Sequence, residues 1–401
     1  QKIDFPIITP GEWYVLKNKG IGFASESHFG KIPSFFGNDG KDSWMADMNG
    51  DGLTDFVYKK VGEQEIYVAL STGKTFETPR KWGQRSKSPQ HQYNQYLVDM
   101  NGDGLIDYVY YKDKQVHVLE NTGDNSFSSD KTYTTLDHGI GYDSQSLWFI
   151  DLNKDHYTDV IYKRNDENEL RAQLNTGLST FGKESIWLNR VHSATHNYTQ
   201  WFVDVNTDGL PDHIYNPTTN PKEYHVILNT GTSFIKSSIW GVRNYGVGYS
   251  GSADWIQDMN NDGKPDIVYK RDDHSDYYVK LNSGAGFESD IIWAIRDHGI
   301  GVDGYCKWWD DIDGDGAVDF IYKQDGSDKL NAMLSGKAIA PLLVTKVENK
   351  GSEMVTDVSY GPMTDSKIYI PVNPYNGNMP KSYLKYLRKV KGSDYLVKNM
   401  R

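Results

Sequence analysis

The nonapeptide Asp47-Met48-Asn49-Gly50-Asp51-Gly52-Leu53-Thr54-Asp55 is the first of six similar copies along the 401 residues, and their recurrence indicates the class of fold. We number the six copies as loops 1 to 6, and they begin at Asp47, Asp99, Asp151, Asp204, Asp258 and Asp311. Successive starts lie 52, 52, 53, 54 and 53 positions apart. Such a constant period indicates a repeat protein in which each unit is one supersecondary structure.

Strand-like segments surround every loop. An apolar run precedes the loop, as at 44–46, and a short run ending in Tyr follows it, as at 56–58. A further alternating run leads to a Gly turn and then to Phe, as at 67–76, and several units end in Trp. Each unit therefore predicts about four short strands. No repeat shows a sustained helical period.

About 53 residues and four strands are the size of one blade of a β-propeller. A single blade cannot bury both of its faces, whereas blades stacked around an axis bury them and expose only short edges. We therefore predict an all-β chain with a propeller over residues 1–336, in which each four-stranded blade carries a loop. Six blades are favoured, with the N-terminal half-unit at 13–23 completing the sixth. Seven blades are the alternative, in which residues 342–360 supply the missing strands.

Residues 337–401 fall outside the repeat. The runs 342–347 and 355–360 flank Lys350-Gly351 and predict a β-hairpin, so we expect a short C-terminal β extension. Residues 382–390 suit an amphipathic helix or a strand. The tail carries 11 Lys and Arg against 5 Asp and Glu, which fits a solvated or partner-covered surface, or a surface for an anionic partner.

The loops follow the pattern D-x-[ND]-x-D-G-x-x-D, which supplies only oxygen ligands. Positions 1, 3, 5 and 9 offer side-chain oxygens and position 7 offers a carbonyl, a set that suits calcium. Gly at position 6 permits the sharp turn, so loop 3, with His156 there, is expected to be strained, weaker or empty. Position 12 is Tyr and the flanks are strand-like, unlike a helical EF-hand.

We predict five to six Ca²⁺ ions, one for each loop. The expected ligands are Asp47, Asn49, Asp51, Leu53 and Asp55 in loop 1; Asp99, Asn101, Asp103, Leu105 and Asp107 in loop 2; Asp151, Asn153, Asp155, Tyr157 and Asp159 in loop 3; Asp204, Asn206, Asp208, Leu210 and Asp212 in loop 4; Asp258, Asn260, Asp262, Lys264 and Asp266 in loop 5; Asp311, Asp313, Asp315, Ala317 and Asp319 in loop 6.

The charge distribution favours a cation. The chain has 43 Lys and Arg, 54 Asp and Glu and a formal net charge of −11. The loops hold 19 of the acids, and the other 35 face 43 bases, so the acidity belongs to the loops. Clustered carboxylates repel one another without a cation. The alternative is Asx-turn capping with no metal. Recurrence in every unit indicates a structural rather than a catalytic ion.

Composition excludes several classes of protein. No apolar run approaches the roughly 18 residues of a membrane span. The 13% aromatic content argues against disorder, and the negative charge argues against a nucleic-acid binder. The single cysteine, Cys306, excludes a disulfide scaffold and is expected to be a packed residue. Residues 1–10 lack the features of a secretory signal, and a start at Gln1 indicates a processed or trimmed chain.

The loops and their flanks resemble the integrin-like FG-GAP or VCBS propeller repeat. The wider unit, with L-N-T-G as at 228–231, is similar to the propeller of the insecticidal toxin-complex B component and of SpvB-type proteins. Residues 357–369 are similar to the segment that follows that propeller, at the start of an Rhs region. The resemblance implies a secreted, calcium-stabilised, six-bladed propeller that docks a protein partner.

Two other functions remain open. A lectin would bind a cell-surface glycan between blades, and the Gly-rich segments between loops supply the candidate contacts Asp137, His138, Tyr142, Tyr245, Tyr249, Asp297 and His298. Those segments also suit plain blade connections with Gly-enabled turns. A polysaccharide lyase would use His and Tyr as base and acid, for which His91, His192, His196, Tyr93 and Tyr198 are candidates. They form no known signature, so we expect no enzyme.

Overall fold

The computed structural model describes residues 5–9, 12–16, 27–31, 43–60, 62–89, 94–140, 146–164, 169–177, 180–189, 200–246, 254–271, 274–295, 307–310, 318–323, 330–334, 346–349, 354–362 and 395–400. Its regular elements are all β-strands, as the short alternating runs predict. In this described part of the chain, no helix has the length and apolarity needed to span a bilayer.

Twenty-nine strands follow one another along the chain. An N-terminal sheet contains β1 (Phe5–Thr9), β2 (Glu12–Leu16) and β3 (Ser27–Lys31). Five four-stranded antiparallel sheets, which we call blades 1 to 5, come next. Blade 1 comprises β4 (Ser43–Ala46), β5 (Asp55–Lys59), β6 (Glu65–Ala69) and β7 (Arg80–Gln84). Blade 2 comprises β8 (Gln95–Val98), β9 (Asp107–Lys112), β10 (Gln115–Leu119) and β11 (Lys131–Thr135).

The next three blades repeat the same plan. Blade 3 comprises β12 (Leu147–Ile150), β13 (Asp159–Lys163), β14 (Glu169–Gln173) and β15 (Ser185–Asn189). Blade 4 comprises β16 (Gln200–Val203), β17 (Asp212–Tyr215), β18 (Glu223–Ile227) and β19 (Ser238–Val242). Blade 5 comprises β20 (Asp254–Gln257), β21 (Asp266–Lys270), β22 (Asp276–Lys280) and β23 (Ile291–Ile295).

Two three-stranded sheets complete the described strands. One contains β24 (Lys307–Asp310), β25 (Asp319–Lys323) and β26 (Leu330–Met333), the first three strands of a sixth unit. The other contains β27 (Lys346–Asn349), β28 (Met354–Pro362) and β29 (Tyr395–Met400). Strands β27 and β28 pair antiparallel, within the region where the sequence predicts a hairpin. Residues 382–390 lie outside the described residues.

The N-terminal strands form their own sheet. The register shifts between Trp13 and Tyr14, as it does between Ile66 and Tyr67 in the third strand of blade 1. Strand β2 therefore corresponds to the third strand of a blade. Strand β1 corresponds to the second strand, which the predicted half-unit at 13–23 did not include. Among the described strands, β1–β3 pair only with one another and not with β24–β26. A propeller of six or more blades fits this arrangement.

Consecutive blades bury each other's faces. The second strand of each blade is buried almost throughout, and its alternate residues face opposite neighbours. In blade 2, Tyr108 and Tyr110 pack with blade 1, whereas Val109 and Tyr111 pack with blade 3. The Tyr-rich runs after each loop are thus the core of the ring, and the period of two decides which junction each side chain fills.

The first strands of successive blades meet near the axis. The ring centroids of Tyr96 and Phe149 lie 4.8 Å apart, and those of Trp148 and Phe202 lie 5.1 Å apart. First strands of blades 1 to 3 together line a cavity of about 600 Å³. The apolar run before each loop therefore forms the inner wall, and the fourth strands form the outer rim.

Candidate metal loops and blade junctions

Loops 1 to 5 share one backbone path. Positions 4 and 6 have positive φ, for example 73° at Gly102 and 87° at Gly104 in loop 2. Loop 3 follows the same path without glycine, with φ of 63° at Lys154 and 77° at His156. This left-handed conformation costs most residues other than glycine free energy, so His156 sits in a strained conformation.

The acids at positions 1 and 5 cap the turn. In loop 1, the two carboxylate oxygens of Asp47 accept hydrogen bonds of 2.8 Å from the N–H groups of Gly50 and Gly52. The carboxylate of Asp51 accepts one from Leu53 at 2.8 Å. The side-chain carbonyl of Asn49 accepts one from the N–H of Asp51 at 3.0 Å. The D-x-N-x-D spacing thus satisfies the N–H groups of a tight turn.

The Asp at position 9 is buried and joins the loop to a second turn. The carboxylate of Asp107 is fully buried and accepts the N–H groups of Met100 at 2.9 Å and of Asn121 at 2.7 Å. Burial raises the pKa of Asp107 to about 8, against the lowering effect of these hydrogen bonds. The same cause raises the pKa values of the other position-9 acids to about 7 in Asp55, Asp159 and Asp266 and to about 6 in Asp212.

The loop side chains suit a cation by their chemistry but already accept hydrogen bonds from the backbone. Their donor chemistry, carboxylate and amide oxygen, suits a hard ion such as calcium. Their described side chains, however, are engaged with backbone N–H groups. No three His, Cys, Asp or Glu side chains in the described residues come together as a group able to hold a metal. Residues 311–317 of loop 6 lie outside the described residues, and Asp319 is buried.

An asparagine follows the third strand of blades 2 to 5 and links consecutive loops, a role that the sequence did not predict. The amide of Asn175 in blade 3 donates to the carbonyl of Met100 in loop 2 at 2.7 Å and to that of Thr158 in its own loop at 3.1 Å. Asn121, Asn229 and Asn282 repeat both contacts in blades 2, 4 and 5. The Asn of L-N-T-G is therefore a blade-to-blade link. Its fixed place before the Gly turn was the available signal.

Aromatic residues on the rim form a second link between blades. The N–H of Phe127 donates to the carbonyl of Trp82 at 2.8 Å, and the two rings meet edge to face at 5.6 Å. Trp187 with Phe234, and Trp240 with Phe287, repeat this contact. At these three junctions the Phe that follows the turn packs on the Trp that ends the preceding unit. Between blades 2 and 3, Tyr133 takes the place of the Trp, and its ring lies 6.4 Å from that of Phe181.

A buried acid forms a third link, which the sequence also did not predict. The carboxylate of Asp130 in blade 2 accepts the N–H of Ser86 and the hydroxyl of Tyr110, each at 2.5 Å, and lies 3.1 Å from His117 Nδ1. Glu184 and Asp290 occupy the same position and accept N–H groups of Asp137 and Asn244 from the preceding blade. Each follows the Phe by three residues, which was the usable signal.

The candidate glycan contacts divide between described and undescribed residues. His138 Nδ1 lies 3.0 Å from Glu184 Oε1, so this imidazole is tied to the next blade. The ring of Tyr245 lies under the guanidinium of Arg271 at 4.2 Å and 4.9 Å from the ring of Tyr278. Tyr245 is thus already in contact with two protein groups. Tyr142, Tyr249, Asp297 and His298 lie outside the described residues.

The candidate lyase residues and Cys306 cannot be placed in this way. His91, His192, His196, Tyr93, Tyr198 and Cys306 all lie outside the described residues. The lyase alternative and the packed position expected for Cys306 therefore stay hypotheses.

Comparison with known proteins agrees with the fold. The model of the FG-GAP-like repeat matches residues 99–162, from loop 2 to the second strand of blade 3. A search of curated protein sequences finds no match. The resemblance to FG-GAP repeats is confirmed for that segment.

Solved structures with similar folds have low sequence identity. A lectin of Agrocybe aegerita, described as recognising non-reducing terminal N-acetylglucosamine, superposes with a TM-score of 0.64 and 19% identity over 85% of this chain and 92% of that chain. The Photorhabdus luminescens Tc holotoxin pore superposes with a TM-score of 0.52 and 16% identity over 90% of this chain, but over 18% of that chain. These likenesses support the all-β propeller fold and leave function to the chain's own residues.

Proposed function

We propose that the chain is a secreted, calcium-stabilised propeller that docks a protein partner. One observation carries the docking role: aliphatic side chains are exposed at one repeated place on the rim. Ile186, Ile239 and Ile292 occupy the second position of the fourth strands of blades 3, 4 and 5 and are 46%, 54% and 55% exposed. Exposed apolar residues that recur on one part of a surface favour a protein interface.

The docking proposal can be tested by reconstitution. Proteins that co-purify with the tagged chain from medium of the producing cells would be identified by mass spectrometry and remixed as purified species. We expect a complex of fixed stoichiometry that persists in excess N-acetylglucosamine. Replacing Ile186, Ile239 and Ile292 together by Thr should weaken it at least tenfold. Failure of every purified candidate to form such a complex would contradict docking.

We propose calcium as the structural ion of the loops. The position-1, 3, 5 and 9 side chains, for example Asp99, Asn101, Asp103 and Asp107, would hold it, together with the carbonyl of Leu105. A bound ion supplies positive charge against these carboxylates. Their recurrence in each described blade and the acid excess of the loops support this assignment.

Calcium removal gives a direct test. An ion that binds only the folded chain stabilises it by about 2.7 kcal/mol at one hundred times its dissociation constant. We therefore expect the melting temperature to fall in excess EGTA and to return when CaCl₂ is added, with MgCl₂ as the control ion. An unchanged melting curve, with no heat of calcium binding by isothermal titration calorimetry, would leave Asx-turn capping as the function of the loops.

A lectin is the alternative function. The superposition on a lectin over nine tenths of that protein's length favours it, and Asp137, His138 and Tyr245 are its described candidate contacts. A glycan array separates the two proposals, because a lectin would bind one sugar class at several junctions. A blank array would favour docking.

A further inference from the structure

The outer rim between blades 3 and 4 contains a groove. It measures about 320 Å³ and lies between strand β15 and the segment 234–237. Ile186 on blade 3 and Ile235 on blade 4 form opposite walls, and each is 46% exposed. Trp187 and Phe234, the rim pair of this junction, lie among its lining residues.

The corresponding places at the other junctions are not aliphatic on both sides. Lys81 in blade 1 and Thr132 in blade 2 stand where blade 3 has Ile186. Ser128, Gly182 and Glu288 stand in blades 2, 3 and 5 where blade 4 has Ile235. Among the junctions of blades 1 to 5 that the structure describes, this one alone has two isoleucines facing each other.

The same junction lacks the buried acid. Asp130, Glu184 and Asp290 each accept an N–H group from the preceding blade. Blade 4 has Ser237 at this position, which lines the groove and whose Oγ lies 3.1 Å from His225 Nδ1. A short neutral side chain therefore replaces the carboxylate.

The one charged side chain among the groove's lining residues is a lysine, Lys236. Lysines on the rims of blades 1 and 2 are paired within their blade, since Lys81 lies 2.6 Å from Glu65 and Lys131 lies 2.6 Å from Glu120. Lys236 lines the groove and Lys183 precedes β15, and both are exposed. Within the described part of the chain neither has an acidic partner at ion-pair distance. In a chain of net charge −11, this is a local site for a carboxylate.

We infer that this groove binds an extended segment of a partner polypeptide in which a branched aliphatic side chain is flanked by carboxylates. The aliphatic side chain would lie between Ile186 and Ile235, and a carboxylate would meet Lys236. The groove is at the lower end of the roughly 300–1,000 Å³ of ligand pockets, so it accommodates one or two side chains. This inference rests on the proposed docking function and identifies the part of the surface that contacts the partner.

Three fluorescein-labelled peptides test the inference by fluorescence anisotropy. The first is acetyl-Gly-Asp-Ile-Asp-Leu-Asp-Gly, the second has Lys in place of each Asp, and the third has Ser in place of Ile and Leu. We expect the first to bind the full chain at least tenfold more tightly than the others. The double change Ile186→Thr with Ile235→Ser, which copies the polar residues of blade 2, should weaken it at least tenfold. Lys236→Glu should reverse the preference between the acidic and the basic peptide.

Ile295→Thr is the matched control, because it removes an isoleucine that is 54% exposed on the fourth strand of blade 5 and belongs neither to the groove nor to the three docking isoleucines. It should leave peptide affinity unchanged, and circular dichroism would show that each variant is folded. Equal binding of the three peptides, or an unchanged affinity of the Ile186 and Ile235 variant, overturns the inference. Displacement of the peptide by N-acetylglucosamine would also overturn it, because the groove would then bind a glycan. A dimer seen by sedimentation and abolished by the variant would overturn it too, because the groove would then bind a second copy of the chain.

The docking proposal can fail separately. If the peptides do not bind while a reconstituted protein complex survives the Ile186 and Ile235 changes, the groove assignment is wrong and docking stands. If no protein complex forms and the glycan array is positive, docking itself is wrong.

Discussion

Asn175→Ala tests whether the loop-linking asparagines hold the blades together. Asn175 is 2% exposed, and its side chain makes three hydrogen bonds. It donates to the carbonyls of Met100 and Thr158 at 2.7 and 3.1 Å and accepts the N–H of Gly177 at 3.0 Å. Alanine removes all three bonds, while the N–H of residue 175 can still donate to Asp159.

The expected loss follows from these contacts. A buried hydrogen bond contributes about 1 kcal/mol net, and a buried group left without a partner costs about 1–3 kcal/mol. Three lost bonds and two carbonyls without their donor predict a decrease of about 2–4 kcal/mol in the free energy of unfolding. That is a large fraction of the roughly 5–15 kcal/mol typical of a domain.

Urea unfolding followed by tryptophan fluorescence would measure the change. Hydrogen exchange would locate it, and we expect faster exchange in loop 2 as well as in loop 3, because the link crosses the junction. Asn175→Asp should be at least as destabilising, since a carboxylate cannot donate to the carbonyls. Asn175→Ser should be milder, because Ser71 at this position in blade 1 still accepts an N–H from Gly73.

Asn189→Ala is the control, because Asn189 is an exposed asparagine on the rim of the same blade. It should change stability by less than about 0.5 kcal/mol. If Asn175→Ala were as mild as this control, or if only loop 3 exchanged faster, the asparagine would not be a link between blades.

Three further predictions concern single positions. His156→Gly should stabilise the chain by up to about 1 kcal/mol, and Gly104→His in loop 2 should cost about as much, because both positions have positive φ and the exposed contact of His156 Nδ1 with Asp151 at 3.8 Å contributes little; thermal unfolding of both variants checks this, and a loss in His156→Gly would contradict it. Gly83→Ala should cost about 1–3 kcal/mol, since its Cβ would lie 2.9 Å from Phe127 Cβ, whereas Gly139→Ala, with nothing within 4 Å, should be neutral in the same assay. Asp130→Asn should destabilise at pH 7, because hydrogen bonds from His117, Ser86 and Tyr110 outweigh burial and lower the pKa of Asp130 below its ordinary value. That contribution is present above the unfolded pKa of about 3.9 and is lost as pH falls through the folded value, so a gap to wild type that stays constant in urea titrations down to pH 2 would refute it.

The repeat could be predicted from sequence because its signals are local. The D-x-N-x-D-G spacing, the Tyr near the end of each second strand and the Phe after each turn recur at a fixed period, and the period alone predicts a stack of equivalent sheets. The three strands of the N-terminal sheet were only partly predicted. Phe5–Thr9 has no loop before it to identify it as a second strand.

The junctions were harder to predict because one partner in each link is backbone. Asn175 bonds the carbonyl of Met100, and any residue at position 100 would offer that carbonyl. The carboxylate of Glu184 accepts a hydrogen bond from the backbone N–H of residue 137, and any residue except proline would offer that N–H. A side chain that recognises backbone leaves only its own position as a clue.

The loops and the links form one connected system, which changes what an ion at a loop would do. Asp107 accepts the N–H of Asn121, and the amide of Asn121 donates to the carbonyl of Met48 in loop 1. Ordering loop 2 therefore positions a donor for loop 1, and the same relation repeats through Asn175, Asn229 and Asn282. A cation bound at one loop would accordingly stabilise a junction as well as a turn. The junction of blades 3 and 4 keeps the asparagine link through Asn229 and the rim contact of Trp187 with Phe234, but Ser237 stands in place of the buried acid. This junction is thus held at its loops and by its rim aromatics, and the groove beside Ser237 is where we propose that a partner binds.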